Sequence, residues 1–305
     1  VGTGHGHGTL TAAGKHRGRL IGVLAITASI MVVQVIGALL SGSIALLADA
    51  GHMLTDSAGV ALALVAITLA ARPPTAKRTF GLARAEILAA AVNAAVLLGL
   101  GAYILYESVT RLSEPPNLQT GSMLIFGVIG LVGNVASMLL LFKAQNDSLN
   151  MRGAFLEVAT DTLASVGVIA AALIAMFTGF TRADAIVAIL IGLLILPRAF
   201  SLLRASVDVL LEAAPKNVDL DKVRQHILGV PHVRDVHDLH AWTVTSGMPV
   251  LSAHIVVEDE CFHDGHAPQV LDQLQTCLTG HFDVEHSTFQ LEPASHSAHE
   301  HAAHP

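Results

Sequence analysis

The chain has 305 residues, 52% of them hydrophobic and only 13% charged, with a mean hydropathy of +0.60 and a net charge of −7. Soluble domains carry about 25% charged residues, so this chain has too little polar surface to clothe a soluble protein. A negative balance also argues against nucleic acid as a partner, which calls for a basic patch.

The shortage of charge is local. Apolar stretches fill 19–208 and charges return from Glu212 onward. This divides the chain into a histidine-containing N-terminal tail (1–18), a membrane portion (19–208), a soluble domain (209–292) and a histidine-rich end (293–305). The first segment is too polar for the core of a signal peptide, and His5 and His7 sit there in a glycine run. A bilayer core of about 30 Å needs roughly 20 apolar residues per helix. Six stretches qualify, at about 20–41, 44–71, 87–110, 120–142, 154–178 and 183–206. Their breaks carry turn chemistry, as at Ser41-Gly42-Ser43, Pro115-Pro116-Asn117, Asn146-Asp147 and Gly179-Phe180-Thr181.

Basic residues set the direction. Lys15, Arg17, Arg19, Arg72, Lys77, Arg78, Arg84, Lys143, Arg152, Arg198 and Arg204 fall on one side, and only Arg111 and Arg182 on the other. The positive-inside rule then puts both termini and the soluble domain in the cytoplasm. The expected location is a bacterial plasma membrane.

Span two contains His52-Met53-Leu54-Thr55-Asp56 and span five contains Glu157-Val158-Ala159-Thr160-Asp161. In each, two ionisable groups at i and i+4 share one helix face. A carboxylate near the bilayer centre costs on the order of 2.5–3.5 kcal/mol on insertion scales. The basic residues lie near span ends, so no Lys or Arg pairs with all three carboxylates, whereas a bound cation can. Span two enters near Ser43, which puts Asp56 about 19 Å deep at 1.5 Å per residue. Span five enters from the opposite side near Gly153, which puts Asp161 about 12 Å deep by the same rise. The depths sum to about one bilayer thickness, so the four groups meet near the midplane, where alternating access places substrates. One imidazole and three carboxylates suit Zn2+ and other divalent ions. A polar cluster gluing two helices and a proton relay without metal remain open at this point.

Asp49, about one turn before His52, either lines the outer route or caps the helix start. Gln34, Asn93 and Asn134 are expected to make interhelical hydrogen bonds, and Glu86 and Glu107 to reach the interface. Of 17 histidines only His52 lies in a span.

From residue 209 the pattern reads helix (217–229), strand (233–245), strand (249–258), helix (266–281) and strand (284–292), an αββαβ order and a small open α+β sandwich. His237, His240, His254 and His286 fall on or beside strands, and Glu292 ends the last one. Three strands of one sheet are able to gather His237, His254 and His286 into a metal site, unless they are simply surface histidines. Cys261 and Cys277 form no closely spaced framework and read as reduced thiols. His296, His299, His301 and His304 crowd the end of the chain.

Several of these segments resemble one family. Leu46-Leu47-Ala48-Asp49-Ala50-Gly51-His52-Met53-Leu54-Thr55-Asp56 is similar to the second-span signature of the cation diffusion facilitator transporters. Phe80-Gly81-Leu82-Ala83-Arg84-Ala85-Glu86-Ile87 resembles their loop before span three. Val236-His237-Asp238-Leu239-His240-Ala241-Trp242 and Leu251-Ser252-Ala253-His254 resemble their cytoplasmic domain. The resemblance runs from about residue 19 to Glu292. It implies a homodimer, metal–proton antiport, and a ferredoxin-like cytoplasmic domain after an all-α six-helix membrane bundle. It carries the transport site onto His52, Asp56, Glu157 and Asp161, and a cytoplasmic metal site onto His237, His254 and His286.

One departure matters: zinc-specific relatives commonly have His where this chain has Glu157. The harder oxygen there favours a broader range, toward cadmium, cobalt or manganese. The loop between spans two and three also lacks the histidines of some members.

The expected function is proton-coupled export of a divalent metal, zinc first, with no cofactor beyond the transported ion and a regulatory Zn2+ in the cytoplasmic domain. Three rivals are a membrane enzyme using Thr55 or Thr160, an organic-cation exporter, and a metal sensor that does not transport. The organic-cation reading would call for an aromatic-lined cavity, and aromatic residues are 4% of this chain.

Overall fold

The computed structural model describes residues 8–70, 72–142, 149–282, 284 and 286–297. The six long helices among them are α1 (Gly8–Ser41), α2 (Ile44–Ala70), α3 (Ala85–Ser113), α4 (Thr120–Phe142), α5 (Leu149–Thr178) and α6 (Arg182–Leu210). Five of these contain spans long and apolar enough to cross a membrane, beginning with Gly22–Ser41 of α1 and ending with the whole of α6. α2, with 27 residues, is the sixth long helix, and it carries Asp49, His52 and Asp56.

α1 begins at Gly8 and so runs back into the stretch read from sequence as a tail. His5, His7, His299, His301, His304 and the Asn146-Asp147 break lie outside the described residues.

Contacts divide the chain into two units, Val1–Leu62 with Val92–Leu203, and Ala63–Ala91 with Arg204–Pro305. The division differs from a cut at 208, because the ends of α2, α3 and α6 group with the C-terminal residues.

The first unit is built as hydrocarbon solvent demands. Large apolar side chains face outward, Phe177 at 80% exposure and Leu39 at 77% among them, a skin that would be a liability in water. Its interior is lined by small residues, with Ala45, Ala48, Ala171, Ala172 and Ala188 buried beside Ile44, Leu46 and Met123. Small interior residues let helix backbones approach where no hydrophobic force drives them together. Gly130 and Gly133 on α4 show why: a Cβ at either would collide with Gln34 or Ile30 of α1.

The start of α2 is capped from another helix. Asp184, in the first turn of α6, accepts from the Ser43 hydroxyl, the Ile44 amide at 2.8 Å and the Ala45 amide at 3.2 Å. Nearby, Arg182 Nε donates to the Leu112 carbonyl at 2.6 Å, and Arg111 donates to the Gly42 carbonyl and to Glu107. Asp184→Ala should therefore orphan buried donors at a helix N-terminus. The expected cost is about 3 kcal/mol, the upper range for a hydrogen-bonded charge, read as a lowered unfolding midpoint in detergent.

In the second unit, α7 (Leu220–Leu228) precedes β1 (Val233–Thr243) and β2 (Pro249–Val257). The short α8 (Cys261–Asp264), α9 (Ala267–Phe282), β3 (His286–Pro293) and the short α10 (Ala294–Ser297) follow. The sheet order is β1-β2-β3, with β1–β2 antiparallel and β2–β3 parallel. The parallel pair needs a crossover, which α9 supplies. The result is the expected αββαβ order with two short helices added.

Asp219 caps α7 through the Lys222 amide, and that bond holds its carboxyl below the ordinary range. One face of the sheet carries Val236, Ala241, Leu251, Ala253, Ile255 and Val257, packed with Val223 and Ile227 of α7 and Val270, Leu274 and Leu278 of α9. Burial, followed by the neighbouring acids Asp264, Glu258 and Glu260, pushes the Cys261 thiol up. The opposite face carries the polar residues. Glu86 accepts from Thr245 at 2.9 Å and Arg84 pairs with Glu212 at 2.7 Å, so Glu86 bonds within this unit.

Candidate metal centres

Helical periodicity brings His52 and Asp56 together on α2, with His52 Nε2 3.4 Å from Asp56 Oδ2. On α5 Asp161 reaches the same imidazole, with Oδ1 3.6 Å from Nε2. One donor atom from each of the three lies within 4.8 Å of the others. His52 and Asp161 are buried, at 7% and 4% exposure. His52 Nδ1, Asp56 Oδ2 and Asp161 Oδ1 make no hydrogen bond among the described residues. Buried polar groups are normally satisfied, so the two unsatisfied carboxylate oxygens beside His52 Nε2 form a set that a cation would complete.

Glu157 stands one turn before Asp161 and interacts electrostatically with both Asp56 and His52. It is not in the tight group of three. Its Oε1 is 3.3 Å from Arg198 Nη2 on α6. In the sequence Arg198 reads as an orientation marker near the end of a span, not as a partner of Glu157. The available signal is a guanidinium directly after Pro197, at the end of the apolar run that opens at Ala185 in α6.

Asp49 neither caps α2, which Asp184 does, nor opens to solvent. It is fully buried and accepts from Gln34 Nε2 at 2.6 Å and from Ser165 Oγ at 3.4 Å, while Asn134 donates to Ser165 at 3.1 Å. Gln34 and Asn134 thus make interhelical bonds that tie α1, α2, α4 and α5 together. The hydroxyls of Thr55 and Thr160 donate to carbonyls of their own helices, His52 and Leu156. That bonding directs neither hydroxyl at the donor cluster.

In the C-terminal domain a second group forms on the polar face of the sheet. Glu292, 2% exposed, places Oε1 2.8 Å from His254 Nδ1 and Oε2 3.3 Å from His237 Nε2. The two imidazoles meet edge to face at 5.1 Å. His254 pairs with His237 across β1–β2 and with Gln290 across β2–β3, which brings Glu292 alongside.

The same register corrects the expected place of His286. It lies opposite Val250, four residues from Gln290, or about 13 Å at 3.3 Å per residue, and does not join His237 and His254. His240 pairs with Ser252 beyond a bulge that follows His237, and it lines an open concavity of about 300 Å³ with Asp238, His254 and Gln290. The donor set of two imidazoles and a buried carboxylate fits a zinc-class ion.

Comparison with known proteins agrees along the chain. Residues 20–211 match the cation efflux transmembrane domain, and 215–294 match the cytoplasmic domain of cation efflux proteins. The metal cation efflux system protein CzcD of Cupriavidus metallidurans is 45% identical over 294 residues, covering 96% of this chain and 91% of that protein. The zinc transporter ZitB of Escherichia coli is 43% identical over 276 residues, covering 90% and 87%. The cadmium, cobalt and zinc/H(+)-K(+) antiporter of Bacillus subtilis is 39% identical over 269 residues, covering 88% and 86%.

Proposed function

Because the chain belongs to the cation diffusion facilitator (cation efflux) family of divalent-metal transporters, we propose that it exports Zn2+ from the cytoplasm in exchange for protons. The observation that carries this reading is the convergence of His52, Asp56 and Asp161 within 4.8 Å on two membrane helices. Glu157 completes the four-residue site once it leaves Arg198.

Metal ligands must be deprotonated, so cytoplasmic Zn2+ displaces protons from the carboxylates as it binds. The bundle then turns the site outward. Protons arriving from that side neutralise the carboxylates, weaken the ion's hold and accompany the return. The abundance of basic residues on one side supports cytoplasmic termini in a bacterial plasma membrane, with residues 19–208 as transport domain and 209–292 as cytoplasmic domain. A relative named as a cadmium, cobalt and zinc/H(+)-K(+) antiporter supports both the coupling and a range broader than zinc.

The test is Zn2+ uptake into proteoliposomes with an imposed pH gradient and clamped voltage. Flux that rises with the gradient is expected, and flux indifferent to it overturns the coupling.

The cytoplasmic domain is proposed to form a homodimer and to hold a regulatory Zn2+ at His237, His254 and Glu292. A ligand at 100 times its dissociation constant stabilises its host by about 2.7 kcal/mol. Chelation should accordingly speed amide exchange in β2 and β3 of the full-length protein, and Glu292→Ala should abolish the difference between chelated and Zn2+-loaded protein.

A further inference from the structure

Away from both clusters, where β2 ends and α9 begins, two more histidines meet. His232 precedes β1 and His266 precedes α9; their rings stack at 5.4 Å between centroids with 18° between planes. His232 Nδ1 is 2.9 Å from Glu258 Oε2, and His266 Nδ1 is 2.7 Å from Asp264 Oδ2. The two side chains are half exposed, at 41% and 44%. We propose that His232 and His266 form a separate surface site for a borderline divalent ion of the zinc class, with Glu258 and Asp264 as its supporting carboxylates.

The placement of the rings carries the argument. Each Nδ1 faces a carboxylate, 2.9 Å from Glu258 for His232 and 2.7 Å from Asp264 for His266, so Nε2 is the nitrogen of each ring turned away from its carboxylate. This is the arrangement in which metal-binding histidines are held, with the second ring nitrogen donating to a carboxylate that fixes orientation and raises basicity. The stacking puts two imidazoles from separate segments side by side, where one cation can be shared between them. Two Zn–N bonds of about 2.0–2.1 Å span up to about 4 Å, less than the 5.4 Å between the ring centroids, so the rings would draw together to share an ion. Nitrogen donors select zinc, copper or nickel over magnesium or calcium.

The backbone holds the pair in place. The Glu258 amide donates to the His232 carbonyl at 3.0 Å, and the His266 amide donates to Asp264 Oδ1 at 3.1 Å. His232 has φ +72°, a left-handed conformation that is costly for a side-chain-bearing residue and is found where surroundings enforce it. Hydrogen bonding to the two rings holds the Glu258 and Asp264 carboxyls below their ordinary range. An ion here would tie the start of β1 to the start of α9, independently of the transport pathway.

Acylation of imidazole by diethyl pyrocarbonate, mapped residue by residue by mass spectrometry on the full-length protein in detergent, reads this site directly. At Zn2+ about ten times the midpoint concentration, modification of His232 and His266 should slow about tenfold with one shared midpoint, while Mg2+ gives no protection. Glu258→Gln with Asp264→Asn should raise that midpoint by about 10–100-fold. His232→Asn, which tolerates positive φ, should remove the protection of His266 but not that of His254. His266→Gln should do the same to His232. Protection of one ring that survives loss of the other, equal protection by Mg2+, or no protection of either ring where His254 is protected, would overturn the site.

Discussion

Asp161→Ala is expected to abolish metal efflux, lowering Zn2+ flux in proteoliposomes by more than about 100-fold, the upper end of what even an outer-sphere residue costs a metal site. Asp161 belongs to the group of three and is its sole contribution from α5, with its oxygen 3.6 Å from His52 Nε2. Without it, His52 and Asp56 remain as two donors on one helix, and α5 loses its grip on the ion.

The expected effect on the fold is the opposite. In the metal-free protein Asp161 shares its group with a second carboxylate, Asp56, and like charges held close in a poorly solvated site destabilise it. Removing one relieves that crowding. The metal-free variant should therefore unfold no earlier than wild type in detergent, while the stabilisation that Zn2+ gives the wild type disappears. Thr160→Ala, one residue away but with its hydroxyl bonded to the Leu156 carbonyl, should leave flux unchanged. A variant at Asp161 that still transports would move the site elsewhere.

Span positions and the His52–Asp56 and Glu157–Asp161 pairs were legible because both are one-dimensional. Hydropathy over about 20 residues and an i, i+4 spacing need no knowledge of which helices touch. What depended on contact between distant segments was not legible. Asp184 caps α2 from 140 residues away, and nothing local in Arg182-Ala183-Asp184 points to Ser43. Asp49 was recognised as polar and misplaced as polar, because its partners Gln34 and Ser165 come from α1 and α5. In the soluble domain, alternation identified the face shared by His237, His254 and His286 but not the offset between strands. The parallel register of β3 then brought Glu292, rather than His286, to His254.

Glu157→His is the second change with a large expected effect, and it acts on selectivity rather than on transport itself. In the proposed site Glu157 would add a hard oxygen and a negative charge to the two carboxylates of Asp56 and Asp161, and Arg198 offsets that charge at 3.3 Å. A metal that recruits Glu157 must compete with the guanidinium, and an ion of any size that tolerates oxygen donors can do so, which favours a broad range. Histidine at 157 substitutes a nitrogen of intermediate softness. It leaves two imidazoles and two carboxylates, a set suited to tetrahedral zinc, and it leaves Arg198 without its anion. Ions that prefer oxygen lose a donor, whereas zinc exchanges one good ligand for another. The ratio of Zn2+ to Mn2+ flux should rise by about tenfold, equivalent to about 1.4 kcal/mol of discrimination, with Zn2+ flux itself retained. Measuring Zn2+, Cd2+, Co2+ and Mn2+ uptake side by side in wild type and Glu157→Ala separates the two contributions. If removing the carboxylate alone narrows the range as much as histidine does, then charge rather than donor softness sets which metals this transporter accepts.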